Sequence, residues 1–112
     1  MIYGFPKLRD FISDGHNEIF LSVASAWGIA IKCAKGRLAL PEIPDHYIAK
    51  RMALHGFRPL PVQSSHALHI FNLPAIHQDP FDRLLVAQSQ LERLPVLTAD
   101  PEIARYEVNI IW

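Results

Sequence analysis

Asp79-Pro80-Phe81-Asp82-Arg83-Leu84-Leu85-Val86-Ala87-Gln88, followed shortly by Pro95-Val96-Leu97-Thr98-Ala99-Asp100-Pro101, is the stretch on which the fold turns. Asp79 has the residue type of a helix N-cap. Pro80 suits the first helical position, where its missing N–H is not needed, and Asp82 meets the positive end of the helix dipole. Phe81, Leu84, Leu85, Gln88 and Leu91 then fall along one side of the predicted helix. Pro95–Thr98 is a short apolar run that reads as a buried strand, and Asp100-Pro101 repeats the capped start for one more helical turn or two.

Working outward, the same punctuation recurs. Pro6 to Ser13 reads as a short helix ended by Gly15, and Ile19–Val23 as a buried strand. A helix runs from Ser22 or Ser25 to Lys35, with Gly36 as its left-handed cap and Trp27, Ala30, Ile31 and Ala34 as its apolar stripe. Pro44 to His55 is opened by proline and closed by Gly56. Phe57 to Val62 is extended, and Pro59 and Pro61 cannot donate to a ladder, so this strand belongs at a sheet edge. Ser64 or Ser65 caps a helix through Asn72, residues 73–78 form a loop, and Val108–Ile111 is a last strand. Strands alternating with helices require crossover connections. The expected class is therefore α/β, a short parallel sheet of about four strands with helices on both faces.

Composition narrows the function classes. The 112 residues are half hydrophobic and one-fifth charged, with eleven Lys and Arg against eleven Asp and Glu. That is one globular domain, without the strongly basic footprint of a non-specific nucleic-acid binder. A lone cysteine, Cys33, excludes an internal disulfide framework and fits a reducing compartment. No apolar run reaches the length of a membrane span and no signal peptide opens the chain, so a cytoplasmic domain is expected.

Neither a phosphate-binding glycine loop nor a Gly-x-Ser-x-Gly elbow occurs. Among the six histidines, His66 and His69 are three apart on a predicted helix and His77 lies beyond it. Without a cysteine or HExxH partner they read as partly exposed residues rather than a zinc site. Cys33 reads as a small buried hydrophobe. Asp79, Asp82 and Asp100 are the informative group. Capping alone accounts for the residue types, but Asp100 directly follows a strand, where ligands gather in open α/β sheets. Counted along the chain, Asp79 and Asp82 open the helix that leads into that strand, the opposite end of the unit from Asp100. Spacing alone therefore does not bring the acids together.

Four blocks of the chain, taken together, resemble one known family. They are Phe20-Leu21-Ser22-Val23-Ala24-Ser25-Ala26-Trp27-Gly28-Ile29-Ala30-Ile31-Lys32, Gly36-Arg37-Leu38, the Asp79–Gln88 block and Leu97-Thr98-Ala99-Asp100. In this order and spacing, from about Pro6 to Trp112, they are similar to the PIN-domain ribonuclease toxins of the VapC type. The resemblance implies a three-layer α/β/α fold and a Mg²⁺- or Mn²⁺-dependent endoribonuclease, the toxin half of a toxin–antitoxin pair with a VapB-like antitoxin as partner. It implies metal-holding roles for Asp82 and Asp100, with Asp79 auxiliary. Thr98 is placed to bond a water or phosphate at the site. Arg83 and Lys32, with Lys35 and Arg37, are candidate RNA contacts.

Two departures shape the expectation. The family opens with a central strand ending in Asp, whereas Met1–Phe5 contain no acid, so the single domain reads as amino-terminally truncated relative to the family. Gly28 stands where the family has Glu, and a glycine inside a helix costs about 1 kcal/mol relative to alanine. Two of four core acids are thus absent. A working ribonuclease and an inactive remnant that binds antitoxin or RNA without cleaving both remain open. Metal binding is expected to be weak, because two or three carboxylates are few against water. A homo-oligomer, most simply a dimer, is expected to cover the edges that a missing central strand leaves.

Overall fold

A computed structural model describes residues 18–98 and 100–111, so the helix expected at Pro6 to Ser13 lies outside the described residues. Among the described residues four short strands are present: β1 (Phe20–Ser22), β2 (Arg58–Leu60), β3 (Val96–Leu97) and β4 (Ile110–Ile111). They form two parallel pairs. β1 pairs with β2, Phe20 opposite Arg58 and Ser22 opposite Leu60. β3 pairs with β4, Val96 opposite Ile110 and Leu97 opposite Ile111. The parallel α/β class is as expected, but the strands make two half-sheets, and among the described residues β1 and β3 are not hydrogen-bonded to each other.

Local chemistry sets the helix ends. Helix α1 (Val23–Ala34) starts at Ser22, whose hydroxyl accepts the Ala24 N–H at 3.0 Å. Gly36 follows its end at φ 70°, and Gly56 closes α2 (Pro44–His55) at φ 68°, backbone conformations that glycine adopts without strain. Helix α3 (Ser64–His69) continues as a 3-10 turn, Ile70–Asn72. Its cap is Gln63 rather than a serine: the Gln63 side chain and His66 Nδ1 each take up a backbone N–H. Asp79 caps α4 (Pro80–Glu92), as its residue type predicts.

Helix α4 joins the two half-sheets. It packs against α1 and α3 and touches β3. Gln88, fully buried, accepts from the Ser22 hydroxyl at the end of β1 and donates to the Pro61 carbonyl beyond β2 at 3.0 Å. On the other side Val86 enters a core with Leu73, Val96, Ile103 and Tyr106. The α1 stripe differs from the one expected. Its buried positions are Ala24, Gly28 and Ile29, while Trp27 is exposed and sets its ring edge-on to Phe81 at 4.8 Å. Small residues face inward because α4 lies close, and the large ring sits at the rim. His66 is likewise buried rather than partly exposed. Its Nδ1 accepts the Gln63 N–H, so Nε2 carries the proton toward Glu92 at 2.8 Å. Among the described residues no helix is long and apolar enough to cross a membrane.

Candidate metal centre

Helix α4 leads into β3, and a helix packed on its own strand runs antiparallel to it. The start of α4 therefore falls beside the carboxyl end of β3, not at the opposite end. This corrects the count along the chain and brings Asp82 and Asp100 to one place. His77, from the loop before α4, joins them: one donor atom from each of His77, Asp82 and Asp100 lies within 4.8 Å of the other two. All three side chains are partly buried.

Each is held by its neighbours. Asp79 Oδ1 accepts the N–H groups of Phe81 at 2.9 Å and Asp82 at 3.3 Å, which fixes the first turn that carries Asp82. Thr98 Oγ1 accepts the Asp100 N–H at 3.0 Å, and Asp100 Oδ1 accepts the Glu102 N–H at 2.9 Å. His77 Nε2 lies 2.9 Å from Asp82 Oδ2. The His77 backbone is clamped as well: its N–H donates to the Tyr106 hydroxyl at 2.9 Å, and its carbonyl accepts from Arg83 at 3.3 Å.

The electrostatics favour a cation. Burial raises the Asp82 pKa above the ordinary carboxylate value, and the charges of Asp79 and Asp100 raise it further. The hydrogen bond from His77 and its charge work against the rise without cancelling it. A carboxylate made costly by burial and by like charges is one whose ionised form a divalent ion would stabilise.

The expected site residues divide. Asp82 and Asp100 converge, Asp79 stands beside them as the cap, and Thr98 positions the Asp100 backbone. Arg83 points inward, its guanidinium bonded to the carbonyls of Ile70, Pro74 and His77 and to the Tyr106 hydroxyl. Lys32 stands exposed in the last turn of α1, outside the cluster. Gly28 is buried with the Phe81 ring against it: a Cβ there would meet Phe81 Cγ at 3.4 Å. Residue types alone gave His77 as a partly exposed residue and not as a neighbour of Asp82; it is partly exposed, and it joins the two acids. The available signal was its position two residues ahead of the Asp79 cap, which places it at the same end of α4 as Asp82.

Residues 5–109 match the PIN domain family. Over 63 residues the chain is 43% identical to Ribonuclease VapC16 of Mycobacterium tuberculosis (strain ATCC 25618 / H37Rv), a segment covering 56% of this chain and 45% of that relative. The match thus spans less than half of the relative's length. No solved structure gives a significant match.

Proposed function

The chain belongs to the PIN domain family, and from that premise we propose that it is a metal-dependent endoribonuclease of the VapC type, cleaving RNA phosphodiesters and held in check by a VapB-like antitoxin. The observation that supports this reading is the meeting of Asp82 and Asp100 at the carboxyl end of β3, with the Asp82 pKa raised by burial and like charge.

The donor chemistry fits a divalent ion. Hard cations such as Mg²⁺ and Mn²⁺ take carboxylate oxygens, and Asp82 and Asp100 would hold one. Such an ion supplies Lewis-acid polarisation of a phosphoryl oxygen and makes water a stronger nucleophile at neutral pH. The chain's own residues supply placement. Asp79 fixes the first turn of α4 and adds negative charge beside Asp82. Thr98 and the turn after it fix Asp100. Arg83 braces the His77 loop, and Lys32, exposed on α1 with Lys35 and Arg37 exposed just beyond it, is a basic group available to an RNA backbone.

Gly28 favours the second reading, a remnant that binds antitoxin or RNA without cutting, because that position offers no carboxylate. Incubation of single-stranded RNA with the purified chain and Mn²⁺ decides between them. Cleavage that disappears with EDTA and in Asp82→Asn is expected. RNA that is bound but left intact by the parent chain would establish the remnant.

A further inference from the structure

The His77 imidazole is the feature that the two-acid reading leaves unused. It is partly buried and meets Asp82 at 2.9 Å, while Asp100 reaches the same point from the turn after β3. A surface histidine that merely pairs with an acid needs no fixed backbone. His77 has one. Its N–H and its carbonyl are both engaged, by the Tyr106 hydroxyl and by Arg83, and these same two groups bond each other at 3.3 Å. Arg83 also grips the Pro74 and Ile70 carbonyls, and Ile76 packs against the core, so the loop is anchored ahead of the ring. The outcome is an imidazole presented from a rigid loop to two carboxylates from two other segments.

We propose that His77 is the third protein ligand of the metal centre, making with Asp82 and Asp100 a mixed nitrogen–oxygen site that takes first-row transition ions, Mn²⁺, Co²⁺ or Zn²⁺, in preference to Mg²⁺. The proposal rests on the ribonuclease reading for the presence of a divalent ion, and adds which ion and which ligand. Ligands about 2.1 Å from a shared centre lie no more than about 4.2 Å apart. The separations here, all within 4.8 Å, close to that with small side-chain rotations. Imidazole nitrogen binds Mg²⁺ poorly and later divalent ions well, so a nitrogen in the set tilts selectivity away from Mg²⁺. A third donor also raises the ligand count above the two carboxylates on which weak binding was expected.

The test measures binding, not cleavage. Mn²⁺, Co²⁺ and Mg²⁺ are titrated calorimetrically into the full chain and into His77→Ala and His77→Gln, with Co²⁺ visible absorption as a second readout of nitrogen ligation. Circular dichroism melts check folding, and His77→Gln keeps a hydrogen-bonding group opposite Asp82. The parent is expected to bind Mn²⁺ and Co²⁺ at least about tenfold more tightly than Mg²⁺. Both variants are expected to lose about ten- to a hundredfold in Co²⁺ affinity, with Mg²⁺ affinity nearly unchanged. Equal affinity for Mg²⁺ and Mn²⁺, or folded His77 variants with unchanged Co²⁺ spectra, would overturn the ligand role while leaving the ribonuclease reading intact. Failure of every ion to bind the parent chain would overturn both.

Discussion

Asp82 carries a cost in the metal-free chain that it would not carry as a neutral group. An acid whose pKa is raised on folding binds its proton more tightly in the folded state. Its contribution is therefore harmless below the unfolded value of 3.8 and becomes a penalty as pH rises through the folded value. Asp82→Asn keeps the shape and removes the penalty. Its melting temperature in EDTA at pH 7 is expected to exceed that of the parent, and the gain to shrink as pH falls toward 3.8. A lower melting temperature at pH 7 would mean that the His77 pairing outweighs burial. The acids were legible from residue types because capping and metal binding both call for Asp. His77 was not. Its place two residues ahead of the Asp79 cap is a weak local signal, and what sets it apart from an ordinary surface group is a backbone fixed by Arg83, six residues on, and by Tyr106, far along the chain.

At the scale of the elements, caps, prolines and glycines marked nearly every helix, because these signals are local. The facing of α1 was harder to read: its apolar residues are spread around the helix, and the choice depends on how closely α4 approaches. Close approach alone does not require glycine at position 28. It is buried against Phe81, and an added Cβ would sit at ordinary van der Waals distance. Gly28→Ala is therefore expected to stabilise by up to about 1 kcal/mol, through helix propensity alone. Glutamate is helix-favouring too, and propensity by itself predicts that Gly28→Glu folds unharmed. The structure alters that expectation, since a longer chain must displace the Phe81 ring from its edge-on contact with Trp27, at a cost of about 1–3 kcal/mol. Urea denaturation of the two variants separates propensity from packing. Equal stability for both would show that the ring yields freely.

Among the described residues, two half-sheets are held together by α4. The alternation of strands and helices announced a parallel α/β domain, but pairing partners are non-local, and a period of two says nothing of which strand lies beside which. Each inner strand, β1 and β3, has one ladder partner among the described residues. Any backbone groups of these edges that no other segment meets would cost about 1–3 kcal/mol each, and such edges template pairing with other chains. Multi-angle light scattering at micromolar concentration is accordingly expected to give a dimer, and a well-behaved monomer would count against it. The clamp around His77 has its own consequence for how the molecule opens. The Tyr106 hydroxyl and the Arg83 guanidinium tie the loop at 70–77 to the segment that feeds β4, so neither can leave without the other. In amide hydrogen exchange, the His77 and Tyr106 amides should share one opening free energy and rise together in rate in Arg83→Lys, whose ammonium lacks the planar fork. The end that bears His77 and Asp82 would then breathe as a single cooperative unit with the carboxyl-terminal strand.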